Sequence, residues 1–536
     1  MDFNLIKNNF LKYNNNDNNL ITYGTAGFRN NSNCLDSVFF IVGLLAGLRS
    51  KKLDGKIIGI MVTASHNPEE DNGVKLIDPK GEMLISTWEK YASQLANSKT
   101  EEDLILNLNK VIKFENINLN QIGKIIFGYD TRPSCKKLIN SLKDGLKTFQ
   151  DNSMQVIDMG LKTTPQLHYL VKSLNDNGNY GKPTEEGYYE KLSTAFISLN
   201  AQTSTSYTLT IDCANGVGAP KLEELKPYLK NSPLELKLLS TDISTLGKLN
   251  KDCGADFVKT HQSPPRGITL EPFARACSFD GDADRVVYYY FNDKIFRLMD
   301  GDKIATLVAS YIKELVELEP LSIKENLHIG VVQTAYANGN STRYIEKELG
   351  LPITCTPTGV KHLHHAAQAY DIGIYFEANG HGTVLFSDDL IKKLSTTSKL
   401  YQLAALINQT VGDSISDMLL VETILNARRW SMLDWDQGYE ELPNRLVKVL
   451  VTDRRVFVTE DAERKLVEPV GMQAKLDDIV KGYQSGRSFV RPSGTEDCVR
   501  VYAEAATREL TDELAFKVAG MVFNFSGKGD KPKEFL

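Results

Sequence analysis

Along most of the chain, short apolar runs alternate with stretches whose apolar residues recur every three or four positions. Asp36 to Leu53 reads as a helix with an apolar face, and Lys56-Ile-Ile-Gly-Ile60 as a buried strand. Ile125-Ile-Phe-Gly-Tyr129 precedes a helix from about Ser134, and Met154 to Asp158 precedes one from about Thr164. This βα rhythm predicts a mostly parallel sheet. Asn175 to Thr184, rich in Asn, Gly and Pro, reads as a linker or surface loop. A second unit carries the strand Tyr207 to Asp212, then Ala214-Asn-Gly-Val-Gly218, and ends near the strand Val286 to Phe291. A third begins with a helix over Asp302 to Leu315 and holds the strands Ile329 to Val332 and Gly373 to Phe376.

Beyond about Leu442 the pattern changes. Val447-Lys-Val-Leu-Val451 and Val499-Arg-Val-Tyr-Ala-Glu504 alternate, and a helix follows from about Leu510. That predicts an antiparallel α+β domain. The expected domains are 1–175, 176–298, 299–440 and 441–536. The βα units share a rhythm without a clear repeat of residue identities. The opening segment, with Asn14-Asn15-Asn16, reads as polar and frayed.

Composition narrows the function classes. A chain of 536 residues exceeds one core and suits three or four domains. Its 42% hydrophobic and 24% charged content is that of a globular protein. The net charge of −6, with both signs interspersed, gives no basic stripe for nucleic acid, but a local loop can still favour a small anion. Seven scattered cysteines without CxxC spacing imply reduced thiols in the cytosol. The N-terminus lacks the marks of a signal peptide, and the longest apolar run, Val38 to Leu48, is too short for a bilayer. The expected location is cytoplasmic, with no membrane and no obligate protein partner. The Asn-x-Ser/Thr sequons from Asn30, Asn340, Asn408 and Asn524 then read as chance matches.

Four short segments carry chemistry. Thr63-Ala-Ser-His-Asn-Pro68 follows the first buried strand, where α/β sheets place ligands. It offers the Ser65 hydroxyl beside His66. In Asp280-Gly-Asp-Ala-Asp-Arg285, three carboxylates at two-residue spacing converge if they lie in a turn after a strand. They repel unless a cation sits between them, and all-oxygen ligation suits Mg²⁺. A solvated acidic turn shows the same bare spacing. An EF-hand does not, because Arg285 stands at the sixth loop position and Phe291 at the twelfth.

Arg491-Pro-Ser-Gly-Thr495, with Arg500, offers a guanidinium fork, the Ser493 and Thr495 hydroxyls, and close backbone approach at Gly494; these suit phosphate, although a plain Pro-Ser-Gly turn with a surface arginine is the rival. Glu377-Ala-Asn-Gly-His381 offers Glu377 and Asn379 to sugar hydroxyls or an amide, and His381 as a proton exchanger. Taken in isolation, a glycine-rich turn with a satisfied histidine is the better account of it. Thr358-Gly-Val-Lys-His362 is a further ligand loop, whereas His364 and His365 belong to the helix after it. Tyr23-Gly-Thr-Ala-Gly-Phe-Arg29 ends in a candidate phosphate contact at Arg29, with a plain loop as a nearly equal rival. Asp130-Thr-Arg-Pro-Ser134 suits a helix cap with a structural Asp–Arg pair.

The serine segment, the aspartate segment, the Glu377 segment and the Arg491 segment, in that order along the chain, resemble the α-D-phosphohexomutase superfamily over essentially the whole chain. Asn379 where most members have Ser, and an Asp130-Thr-Arg132 motif placed after the serine loop, resemble its acetylglucosamine-phosphate branch. The resemblance implies three α/β domains with mixed sheets plus a C-terminal α+β domain around a central cleft, each domain contributing one loop. It implies exchange of N-acetylglucosamine 6-phosphate and 1-phosphate on the way to UDP-N-acetylglucosamine, with a hexose 1,6-bisphosphate as activator and intermediate.

Ser65 would be phosphorylated at rest. Mg²⁺ would be held by Asp280, Asp282, Asp284 and a phosphate oxygen on Ser65. Arg285 and Arg29 would assist. Lys75, ten residues after the serine, is the candidate for moving the hydroxyl proton, with His381 competing and His66 orienting the loop. Arg491, Pro492, Ser493, Gly494, Thr495 and Arg500 would grip the sugar's phosphate. Thr358, Gly359, Glu377, Ala378 and Asn379 would hold the sugar. The rival readings are a mutase for glucose, glucosamine or mannose phosphate, a phosphohydrolase using an aspartyl phosphate on Asp280, and a non-catalytic binding protein.

Overall fold

The computed structural model describes residues 1–13, 20–149, 152–203, 205–493 and 497–535. The Asn14-Asn15-Asn16 cluster, Gly494 and Thr495 lie outside them. The chain forms two compact units. One comprises Met1–Asp300, Asn379–Thr383 and Ser395–Met432; the other comprises Gly301–Ala378, Val384–Leu394 and Leu433–Leu536.

The first sheet contains β1 (Phe28–Asn31), β2 (Ile57–Val62), β3 (Asp71–Ile77), β4 (Gly123–Tyr129) and β5 (Met154–Leu161), in the order β1-β3-β2-β4-β5. β3 runs antiparallel to both β1 and β2, while β2, β4 and β5 are parallel. The sheet is therefore mixed, where the rhythm alone predicts mostly parallel strands. β2 is buried almost throughout, because helices cover this layer and leave no solvent face to favour alternation. The helix Asp36–Lys52 is likewise buried nearly all round rather than on one face. The buried Lys51 ammonium donates to the Leu119, Gln121 and Ser153 carbonyls, which satisfies its charge inside the fold.

The second sheet contains β6 (Tyr207–Asp212), β7 (Leu234–Leu239), β8 (Ala276–Phe279), β9 (Val286–Asn292) and β10 (Ile295–Met299), in the order β10-β9-β8-β6-β7. Its pairing repeats that of the first: antiparallel, antiparallel, parallel, parallel. β8 corresponds to β2, and β9 to β3. The third sheet contains β11 (Ile329–Thr334), β12 (Ile353–Thr356), β13 (Ile372–Phe376) and β14 (Gly382–Phe386), in the order β12-β11-β13-β14. Its β11, β12 and β13 are parallel.

The segment Ser65, the aspartate segment and the Glu377 segment thus occupy one topological position. Each joins a strand of the parallel set to the neighbour that follows it in the chain. The repeat between the first two sheets lies in the pairing directions, not in residue identities or chain order, since β2 precedes β4 and β5 whereas β8 follows β6 and β7; the second and third sheets do share a chain order.

The C-terminal domain holds β15 (Asn444–Leu450), a small hairpin of β16 (Val458–Glu460) and β17 (Lys465–Glu468), β18 (Arg487–Pro492) and β19 (Cys498–Glu504). β15, β19 and β18 form an antiparallel sheet packed on the helix Arg508–Ser526, as the alternation predicts.

One stretch differs from expectation. Phe3–Tyr13 is a helix, with Ile6 and Phe10 buried in the first core. Ile6 and Phe10 stand one turn apart, a stripe that the surrounding asparagines conceal. Glu185–Leu199 is also a helix, entered through Thr184, whose hydroxyl accepts from the Gly187 N–H.

Candidate active site

Ser65 sits at the end of β2 in the left-handed region, at φ 52°, and is fully buried. A non-glycine residue held there is strained and persists only where its surroundings fix it. Its N–H donates to Thr63 Oγ1 at 2.9 Å, and that hydroxyl donates to Asp130 at 2.7 Å. Its Oγ donates to Asp280 Oδ2 at 2.6 Å and lies 3.4 Å from His66 Nδ1.

The aspartate segment closes on itself between β8 and β9. Asp280 Oδ1 accepts the N–H groups of Asp284 at 3.1 Å and Arg285 at 3.2 Å, with Ala283 in the left-handed region. One carboxylate oxygen of each of Asp280, Asp282 and Asp284 lies within 4.8 Å of the others, and all three residues are buried. Asp282 Oδ2 accepts from Thr164 Oγ1 at 2.6 Å, at the start of the helix Thr164–Asn175, while Asp282 Oδ1 has no donor among the described residues.

Burial, with Asp284 and Asp282 beside it, pushes the Asp280 carboxyl well above the usual carboxylate range. Burial acts on Asp284 in the same direction, but His381, Lys75 and Arg285 outweigh it and hold that carboxyl well below its ordinary value. Three converging carboxylates, an orphaned oxygen and a proton-favouring Asp280 fit a hard divalent cation with oxygen ligands.

Several basic side chains meet this cluster. Lys75 Nζ, from β3, lies 3.4 Å from Asp282 and 3.3 Å from Asp284. His381 Nδ1 lies 3.3 Å from Asp284. The His381 segment is held close by Gly380, whose carbonyl accepts from the Val286 N–H. Its φ is 87°, and a Cβ there would meet Val286 O at 2.0 Å, so only glycine fits. Arg285 Nη1 pairs with Asp256 at 2.7 Å, and Asp256 also faces His66 Nε2 at 3.6 Å. Burial and then Arg285 push the His66 imidazole down to about 3, so it is neutral at physiological pH. Arg29, on β1 opposite Gly73, is half-buried, and its Nε is buried with no partner among the described residues; burial and then Arg285 lower its pKa, opposed by the three aspartates.

The remaining candidates group in the other unit, apart from Asn379, which belongs to the first. Asn379 Oδ1 accepts from the His381 N–H at 3.0 Å. Gly359 N–H donates to Glu377 Oε1 at 3.1 Å, and Ala378 O accepts from Gly301 N–H. Glu463 brings two candidates together, because it accepts from the Thr358 N–H and hydroxyl and pairs with Arg491 Nε at 2.7 Å. Arg491 on β18 stands opposite Arg500 on β19, and Arg500 stands opposite Lys448 on β15. Pro492 ends β18, and the Ser493 N–H donates to Cys498 O.

Thr63, Thr164, Asp256, Lys448 and Glu463 are not singled out by the sequence, since each acts through contacts with distant segments. The Asp130–Arg132 pair is present at 3.1 Å, but Asp130 does not cap the helix Cys135–Leu146, whose N-cap Ser134 makes no side-chain capping bond and instead accepts from Asn72 Nδ2 at 2.8 Å. Instead Asp130 holds Thr63 and Arg132 beside the serine segment. His364 and His365 lie on the helix Val360–Ala367, with His364 Nδ1 2.9 Å from Tyr375 Oη.

The chain matches the family models for phosphoglucomutase/phosphomannomutase domain I over residues 48–103 and 89–181, and for their C-terminal domain over 446–521. Fold and site together define a phosphohexomutase. Residues 181–287 and 300–430 match the models for domains II and III of phosphoacetylglucosamine mutase AMG1. Phosphoacetylglucosamine mutases from Sus scrofa and Homo sapiens are 52% and 51% identical over 96% of this chain and 96% of their own. The crystal structure of Aspergillus fumigatus N-acetylphosphoglucosamine mutase in complex with GlcNAc-6P and magnesium is 49% identical, with a TM-score of 0.92, over 97% of this chain and 98% of that one. The chain belongs to the phosphoacetylglucosamine mutase family.

Proposed function

We propose that the protein interconverts N-acetylglucosamine 6-phosphate and N-acetylglucosamine 1-phosphate through a phosphoserine and a 1,6-bisphosphate, in the formation of UDP-N-acetylglucosamine. One observation carries the reading: a strained, buried Ser65 hydroxyl lies 2.6 Å from Asp280 in a cluster of three carboxylates. The relatives support it. The Aspergillus enzyme is described with GlcNAc-6P and magnesium, and a variant of it with glucose 1,6-bisphosphate.

In this reading the sugar's free hydroxyl attacks the phosphorus carried by Ser65. The bond from phosphorus to Ser65 Oγ breaks, and the hydroxyl proton passes through a base to Oγ. The bisphosphate turns end over end. Ser65 Oγ then attacks the other phosphate and its proton returns along the same path. Asp280, Asp282, Asp284 and a phosphate oxygen on Ser65 would hold Mg²⁺, which offsets repulsion between the two phosphates and stabilises charge on the transferring group. Lys75 and His381, the two candidates for the base, meet on one carboxylate, Asp284.

Arg29 and Arg285 would attend the transferring group, with His66 orienting the loop. Arg491, Pro492, Ser493, Gly494, Thr495 and Arg500 would dock the other phosphate, and Thr358, Gly359, Glu377, Ala378 and Asn379 the sugar. Domains at 1–175, 176–298, 299–440 and 441–536 accord with the four main sheets. A cytosolic location accords with seven cysteines that form no disulfide. Among the described residues no helix is long and apolar enough to cross a membrane.

Intact mass with site mapping, followed by turnover of N-acetylglucosamine 6-phosphate with and without Mg²⁺, tests the proposal. The expected result is phosphate on Ser65 and Mg²⁺-dependent turnover. A label on Asp280, or turnover indifferent to Mg²⁺, overturns it.

A further inference from the structure

The backbone of the serine segment is held by two side chains that make no contact with the Ser65 hydroxyl. Arg132 is buried, and its Nη2 donates to Ser65 O at 2.9 Å and Asn67 O at 2.8 Å. Its Nη1 donates to Pro68 O and to Asp71 O, and its Nε to Asp130. The second side chain comes from the loop between β7 and β8. Asn250 Nδ2 donates to the same two carbonyls, Ser65 O at 2.9 Å and Asn67 O at 3.1 Å. Because both partners are carbonyls, only the amide nitrogen can face them.

Asn250 is itself fixed. It adopts φ 58°, and its N–H donates to Ala214 O at the end of β6. Three residues earlier, Gly247 N–H donates to Glu69 Oε2 at 2.7 Å, a second tie to the serine segment. The aspartate segment closes the arrangement. A Cβ at Gly281 would meet Ser65 O at 2.6 Å and Asn250 Nδ2 at 2.9 Å, so glycine permits the approach. Ser65 O, Asn250 and Gly281 thus pack at one point, one residue from Asp280.

We propose that Asn250 is a positioning residue for phosphoryl transfer: its amide locks the Ser65 and Asn67 carbonyls onto the aspartate segment and so sets the aim of Ser65 Oγ. Arg132 fixes the same carbonyls from within the first sheet, whereas Asn250 registers them against the second. This rests on the function proposed above. A phosphorylated side chain on a left-handed residue has little freedom to correct its own aim, and a misplacement of about 1 Å costs on the order of 100-fold in rate.

Asn250→Gly is the cleanest test, because glycine keeps the left-handed backbone and removes only the amide. Asn250→Asp keeps the shape but turns an acceptor toward two carbonyls. Both should lower kcat by about 10- to 100-fold with KM within about twofold, since neither touches the sugar. Hydrogen–deuterium exchange on the metal-free proteins should be several-fold faster for the peptide spanning 62–72, with the second sheet unchanged. Native kcat in Asn250→Gly overturns the inference. So does a loss that matches only the unfolded fraction at the assay temperature, or an unaltered 62–72 exchange rate. A native protein inactive on every hexose phosphate tried overturns the proposed function as well; an active native protein with an unaffected variant overturns this inference alone.

Discussion

Arg491 on β18 and Arg500 on β19 are directly paired residues of an antiparallel ladder, so two guanidinium-bearing side chains leave the sheet on one face. Lys448 extends the row on β15. Like charges placed opposite destabilise a sheet, and Glu463 offsets part of this by pairing with Arg491 Nε. An anion bound between the arginines would remove the repulsion and accept paired donors. Arg491→Ala is expected to raise KM for the sugar phosphate by about 10- to 100-fold and to lower kcat far less. Steady-state kinetics check this, and an unchanged KM contradicts the docking role.

Ser65 supplies a prediction that separates strain from chemistry. Ser65→Ala and Ser65→Gly both remove the hydroxyl and the bond to Asp280, so both should lose turnover while still binding sugar phosphate by calorimetry. At φ 52° the alanine retains the backbone strain and the glycine does not. Ser65→Gly should therefore exceed Ser65→Ala in stability by about 1 kcal/mol. Equal unfolding midpoints would show that the left-handed conformation is not costly here.

Removing one member of the carboxylate cluster should abolish the response to the cation. Mg²⁺ is expected to raise the melting temperature of the native protein, because it binds the folded cluster and not the unfolded chain. Asp282→Asn should melt at the same temperature with and without Mg²⁺ and lose turnover. A native-sized Mg²⁺ shift in this variant would contradict the ligand assignment.

A second buried acid pair predicts a pH effect on stability. Burial, then the neighbouring Asp413, pushes the Asp417 carboxyl well above the usual carboxylate range, and Asp417 Oδ1 has no donor among the described residues. An acid whose folded pKa is raised stabilises the fold fully below its unfolded value, about 4, and loses that contribution as pH rises toward the folded value. Asp417→Asn cannot ionise. It should stabilise the protein by about 1–2 kcal/mol at pH 8 and by little at pH 4. Melting curves across that range check the sign, and an advantage that shrinks with rising pH would reverse the assignment.

How much of this was legible in the sequence depended on distance along the chain. Ser65, the three aspartates and Arg491 announce themselves because each lies in a short segment whose residue types suit one chemistry. The strand over Tyr207–Asp212 and the antiparallel tail were readable from apolar runs and alternation. The strand Asp71–Ile77 was hidden, since it begins with acidic and polar residues and its burial comes from both neighbours in the sheet. Asn250, Thr164 and Glu463 reach partners more than a hundred residues away, or across a fold boundary, and nothing local marks them. The charge balance around Asp284 was also out of reach, because Lys75 and His381 meet it only after folding.

The recurrence of one set of pairing directions in the first and second sheets, and of one strand order in the second and third, has an evolutionary corollary. A tight return leaving the same strand each time can be rewritten without disturbing the layers beneath it. A hydroxyl could specialise in one, acids in another and an amide in a third, with glycine required where the returns touch, at Gly281 and Gly380. Under the proposed function, new selectivity among hexose phosphates should therefore arise within the Glu377–His381 return at positions other than Gly380 and His381, with the hydrophobic architecture inherited unaltered.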